Sequence, residues 1–206
     1  MIKPNGIFGP LEVLTMAVFL IAGCAADTVK PTFPVNRGLP RPDRLIVYEF
    51  SATKGEVEVD RSTGAQPPQS EEEIRVGRAL AKALAKYVSD ELRSRRINAY
   101  LAGETPRPGE TTVSIRGQFM RTDPTGRSPI PVVGFGFGGG EVRTHVQVLQ
   151  GTGLKLSLVG EADAVTPSGL KPGAASAAAI EADASRIAKE IAERVANYYR
   201  REEWIK

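Results

Sequence analysis

The only thiol of the chain, Cys24, stands directly behind Leu20, Ile21, Ala22 and Gly23, at the end of a short apolar run. A thiol is the side chain that forms a thioether to a diacylglyceryl group, and small residues ahead of it leave the backbone open to a peptidase. The spacing therefore predicts cleavage before Cys24 and lipid attachment to its sulfur. A second stretch with chemical potential is Gly134, Phe135, Gly136, Phe137, Gly138, Gly139, Gly140. Gly134, Gly136 and Gly139 have the spacing of a dinucleotide fingerprint, which aims a helix N-terminus at pyrophosphate. The residues that follow alternate with period two, however, and predict a strand. A loop between strands is the expectation, with Phe135 and Phe137 either plugging the core or touching a partner. As an anion nest the same loop would take a small ligand or nucleotide.

Acid–base and metal chemistry find little to build on. His145 is the one histidine, and alternation places it on the polar face of a strand. A zinc site would need carboxylates around it at ligand spacing, and none has that spacing in sequence. Glu161 and Asp163 share a strand face, a commonplace arrangement. No Gly-x-Ser-x-Gly elbow is present. No catalytic residue, metal ligand or cofactor is assigned, and the chain is expected not to be an enzyme. Arg75, Arg78, Lys82 and Lys86, continued by Arg93, Arg95 and Arg96, form a basic stripe on a helix that would meet anionic headgroups or stand solvated. Asp90 and Glu91 dilute their field and no aromatic is interleaved for base stacking, so nucleic acid is not an expected partner.

The run from Val13 to Ala22 has the length of a secretory apolar segment and falls short of the roughly 20 residues of a spanning helix. With Lys3 ahead of it and Cys24 behind, it resembles a bacterial lipoprotein signal over residues 1–23; the other reading is a buried N-terminal element with an ordinary core cysteine. Acyl chains contribute about 0.8 kcal/mol per buried methylene, so more than one chain gives lasting attachment. Ala25 after the modified cysteine resembles lipoproteins carried to the outer membrane, which implies a lipid-anchored protein facing the periplasm.

Removing residues 1–23 deletes one base, Lys3, and one acid, Glu12, so the net charge stays at +3. That mild excess favours weak association with anionic surfaces without naming a partner. Residues 24–43 contain Pro31, Pro34, Pro40 and Pro42, a composition suited to an extended tether. Residues 44–206 suffice for one domain.

The elements that must position these groups follow from periodicity. A strand is predicted over Arg44–Phe50, and Ser70 with Glu73 forms a capping box that opens a helix to about Arg96. Ile97–Leu101, Thr111–Met120, Glu141–Gln150 and Leu154–Ala164 read as strands, the last two a hairpin across Gly151–Gly153 with Leu156, Leu158 and Val159 in the apolar set of the second. Ile180, Ala184, Ile187, Ile191, Val195 and Tyr198 recur at helical spacing up to about Trp204. The result is a single two-layer α/β domain: a mixed, mostly antiparallel sheet of about five strands with two helices on one face.

Several ordered segments together resemble a family of bacterial lipoproteins defined by a domain of unknown function, number 4410. They are the opening strand Pro42, Asp43, Arg44, Leu45, Ile46, Val47, Tyr48, Glu49, Phe50; the Val133–Glu141 Gly/Phe loop with its alternating strand; the breaker Lys171, Pro172, Gly173, Ala174; and Trp204, Ile205. Gly138, Gly139 and Gly140 depart from the family's loop, where a small polar residue precedes the glutamate. The resemblance implies an envelope lipoprotein with an α/β domain and supplies no activity or cofactor. The expected function is a periplasmic binding or assembly module for another envelope component or for a second copy of itself, the alternative being a small-ligand or nucleotide-binding module at Gly134–Gly140.

Overall fold

Strict alternation over β5 (Glu141–Thr152) builds the middle of the sheet: Val142, Thr144, Val146 and Val148 are buried, while Arg143, His145 and Gln147 are half-buried on the other face. β6 (Lys155–Pro167) pairs with it antiparallel, and β3 (Thr111–Arg121) pairs antiparallel on its other side. In the computed structural model, which describes residues 39–56, 68–103, 109–121, 132–137, 140–152 and 155–206, β1 (Arg44–Val47) lies parallel to both β3 and β2 (Ala99–Leu101). Parallel neighbours require a crossover. The helix α1 (Glu71–Ser94) lies in the chain between β1 and β2 and makes it. The strand order is β2-β1-β3-β5-β6, with the two-residue β4 (Val132–Val133) paired to the end of β3.

The five expected strands are present, with the short β4 as an addition. Element ends differ from the sequence expectation by up to three residues, and β6 differs in its facing. β1 stops at Val47 instead of Phe50, although Tyr48 and Ser51 still donate to the carbonyls of Ile115 and Gly117. The ring of Phe50 occupies the space beside Gly117, where an added Cβ would stand 2.2 Å from the Phe50 Cε1. In β6 the expected apolar set of Leu156, Leu158 and Val159 divides: Val159 is buried and Leu158 is 47% exposed. The cause is a bulge. Val148 pairs with Gly160 and Leu149 with Leu158, so Val159 is the extra residue and the facing of β6 switches across it.

Both helices cover one face. α1 begins at Ser70, whose hydroxyl accepts from the Glu73 amide at 3.2 Å while the Glu73 carboxylate accepts from the Ser70 amide at 2.8 Å. α2 (Ala177–Arg201) begins at Ser176, whose hydroxyl accepts from the Ala179 amide at 3.2 Å. Its small residues Ala184, Ala188, Ala192 and Ala196 are fully buried in the layer where α1 and α2 pack together. Each helix ends in a Schellman turn. Ile97 and Arg96 donate to Leu92 and Arg93, and Trp204 and Glu203 donate to Tyr199 and Arg200. Trp204 then stacks edge-on over Tyr199 at 5.1 Å and Tyr198 at 5.6 Å. Among the described residues no helix is long and apolar enough to cross a membrane.

The sheet face away from the helices is polar at its rim. The Arg44 guanidinium sits 5.2 Å over the Tyr100 ring and that of Arg116 4.9 Å over Tyr48, with Ile46, only 1% exposed, between these pairs in register.

Candidate functional site

The Gly/Phe loop follows β4. Gly134 takes φ +139, a conformation that favours glycine, and its amide donates to Phe119 O while the Phe135 amide donates to Ala52 O. The Gln69 amide group clamps the loop by donating to both Ala52 O at 3.0 Å and Phe135 O at 2.8 Å. Phe135, 2% exposed, is the centre of an aromatic series: edge-on to Phe119 at 5.8 Å and to Phe137 at 5.4 Å, with Phe50 6.3 Å beyond Phe119. Gly77 of α1 makes room for it, since a Cβ there would stand 2.6 Å from the Phe135 Cβ. Gly138 and Gly139 lie outside the described residues. Beside Gly136 stands the Glu73 carboxylate, 3.3 Å from where a Cβ would be. Two amides committed to carbonyls and an adjacent carboxylate leave this end of the loop poorly suited to an anion.

The cationic side of α1 is largely paired. Arg78 meets Glu56 at 2.8 Å, Lys86 meets Asp90 at 3.0 Å, and Arg75 lies 3.8 Å from Glu72; Lys82 is exposed. Partial burial of Glu56 pushes its pKa up, but the Arg78 hydrogen bond and the Ala52 and Thr53 amides outweigh this and hold it below the usual carboxylate value. Lys86 is shifted upward by its hydrogen bond to Asp90.

Strand register assembles a group that linear spacing does not reveal. His145 is opposite Asp163 across the β5–β6 ladder, and Nδ1 lies 2.8 Å from Asp163 Oδ1 while Nε2 lies 3.8 Å from Glu161 Oε2. Among the described residues no group of three His, Cys, Asp or Glu side chains is arranged to hold a metal ion. What the cluster does is fix the imidazole against one carboxylate on the open face.

Cys24, its preceding Leu20, Ile21, Ala22 and Gly23, and the tether up to residue 38 lie outside the described residues. The last part of the tether is bound to the domain: Leu39 packs on the core, Gln150 Nε2 donates to Pro40 O at 2.8 Å, and Asp43 N donates to Thr111 O at 2.9 Å. Arg96, the last residue of the basic stripe read from the sequence, and Arg41, which that reading did not single out, line one hollow where this arm joins the domain. They are far apart in the chain, so no local pattern joins them.

A mixed sheet with two helices on one face and the other face open defines a two-layer α/β domain. The chain belongs to the family of the domain of unknown function DUF4410, whose model matches residues 45–185. Among solved structures it is similar to a Xanthomonas campestris protein of the family DUF330, at 17% identity over 84% of this chain and 97% of that one, with a TM-score of 0.44. It is also similar to an uncharacterised protein at 12% identity, covering 77% and 94% of the two chains, TM-score 0.38. A third is the PelC dodecamer from Paraburkholderia phytofirmans, at 11% identity over 73% and 87%, TM-score 0.32. No curated protein matches the chain.

Proposed function

We propose that this protein is a lipid-anchored component of the outer membrane whose periplasmic domain binds another envelope component or assembles with itself, without catalysing a reaction. The observation that carries this reading is Cys24 directly behind Leu20, Ile21, Ala22 and Gly23 at the end of a short apolar run. The open sheet face, with Leu158 and Val165 exposed on its outer strand, supports a surface-binding role over an enclosed site. Intact-mass and fractionation measurements on the full chain in a bacterial host test it. The expected result is a membrane-bound species beginning at acylated Cys24, lost in Cys24→Ser. An unmodified full-length chain outside the membrane fraction would overturn the reading.

The alternative, a phosphate-bearing ligand or nucleotide at Gly134–Gly140, is less favoured because the Gly134 and Phe135 amides already donate to Phe119 and Ala52. It predicts saturable thermal stabilisation by nucleotides. A flat response across a nucleotide and sugar-phosphate panel would dismiss it.

A further inference from the structure

Both helices end, and β1 and β2 begin, at the pole of the domain where the arm from Cys24 arrives. Two adjoining hollows open there, of about 490 Å³ and about 570 Å³, sharing Arg41, Arg96 and Ile205 as walls. Arg95, Arg200 and Lys206 line the second, and Asp43 and Glu203 are the acids among the walls. Arg95 is held by Glu91 at 2.7 Å and Glu193 at 3.3 Å, and Arg200 by Glu193 at 3.4 Å. Asp43 accepts from the Thr111 amide at 2.9 Å. Arg41 and Arg96 are exposed and have no ion-pair partner among the described residues.

Cations near helix C-termini offset the negative end of the helix dipole, which accounts for Arg95 and Arg200. It does not account for Arg41, contributed by the arm. Nor does it explain arginine at position 96, where φ is +63 and glycine is the favoured residue. Tyr199, 5% exposed, lines the first hollow, and its buried hydroxyl has no hydrogen-bond partner among the described residues. Burial drives its pKa far above the usual phenol value, so it stays a donor, and Arg41 is near enough to act on it.

We infer that this arginine-walled groove docks on the phosphate groups of an anionic lipid leaflet, with Arg41 and Arg96 as the principal contacts and Tyr199 packed beneath them. The choice of a lipid surface rests on the proposed acylation of Cys24. Residues 24–39 reach at most about 50 Å when extended, and they join the domain beside the groove, so the anchor would hold this pole nearest the leaflet. Basic residues next to a lipid anchor add electrostatic attraction to the anionic phosphates at the leaflet surface.

The test uses the full chain carrying Cys24→Ser, which removes the acyl anchor, and vesicles of neutral phosphatidylcholine with or without phosphatidylglycerol. The readout is the ratio of acidic to neutral vesicle binding, compared between proteins that carry the same leader. Arg41→Gln/Arg96→Gln should lower that ratio by on the order of 30-fold, and added salt should do the same to the parent. Arg75→Gln/Lys82→Gln, an equal change of charge on α1, should leave the ratio within about twofold of the parent. An unchanged ratio in the first pair, or an equal fall in the second, would overturn the groove. Saturable thermal stabilisation by glycerol phosphate, lost with Arg41 and Arg96, would overturn the surface in favour of a soluble phosphate ester. Because acylation is measured separately by mass, failure here with an acylated Cys24 sinks the groove alone, and a positive result with an unmodified Cys24 sinks the anchor alone.

Discussion

At the scale of single residues, the positions that matter are those where backbone geometry and side-chain identity disagree. Arg96 and Glu203 both occupy the left-handed position of a Schellman turn, at φ +63 and +60, where a side chain is strained and glycine is not. Arg96→Gly should therefore stabilise the domain by about 0.5–1 kcal/mol, the relief of strain less the larger chain entropy of glycine. Urea unfolding measures this. The same variant should weaken binding to acidic vesicles, so stability and docking would move in opposite directions; a loss of stability would show that the Arg96 side chain is structurally required. Gly77 and Gly117 are the reverse case. Their missing Cβ atoms make room for Phe135 and Phe50, a reason no spacing rule reveals.

At the scale of elements, α1 is set by local sequence to an unusual degree. Ser70 and Glu73 satisfy two orphan amides reciprocally, and Glu71, Glu72 and Glu73 place negative charge at the positive end of the dipole. Ser70→Ala should cost about 1 kcal/mol in thermal or urea unfolding without changing helix content, and a cost near zero would show that packing on α2 alone holds the first turn. The end of α1 is set with equal local clarity, by Ile97 folding back to Leu92. β6 is the contrasting element. Its apolar residues read as one set, yet a bulge at Val159 puts Leu158 on the open face and Ala162, Ala164 and Thr166 on the helix face. A bulge is a property of two paired strands, so β6 by itself carries no sign of it.

At the scale of the whole molecule, the two poles differ in chemistry. One holds the start of both helices, tied together by the Gly173 amide on Glu72 Oε1, and the Gly/Phe loop clamped by Gln69. The other holds the helix ends, the arriving arm and the unpaired Arg41 and Arg96. With the arginine pole on the leaflet, the half-buried Phe137 would face away from the membrane, towards any partner. The second pole is closed by Trp204, 9% exposed against Tyr198 and Tyr199. Trp204→Ala should cost about 3 kcal/mol, read by circular dichroism, because a large aromatic is removed from a nearly closed cluster. In the parent, fluorescence of this sole tryptophan should change together with circular dichroism in one transition. An earlier fluorescence change would mean that the C-terminal turn opens independently.

The sequence alone determined what depends on neighbours a few residues apart: α1 and its N-terminal capping box, the period-two alternation of β5, the long apolar stripe of α2 and the two-layer class. These signals are legible because hydrogen bonding and burial repeat with a fixed period along one element. Only the tertiary structure decided what lies across elements. It paired Arg75, Arg78 and Lys86 with acids, set His145 against Asp163, buried Phe135 and left Arg41 and Arg96 without ion-pair partners among the described residues. Charge pairing and core membership depend on which strands and helices come to lie side by side, and that is fixed by burial of the whole apolar surface rather than by spacing along the chain.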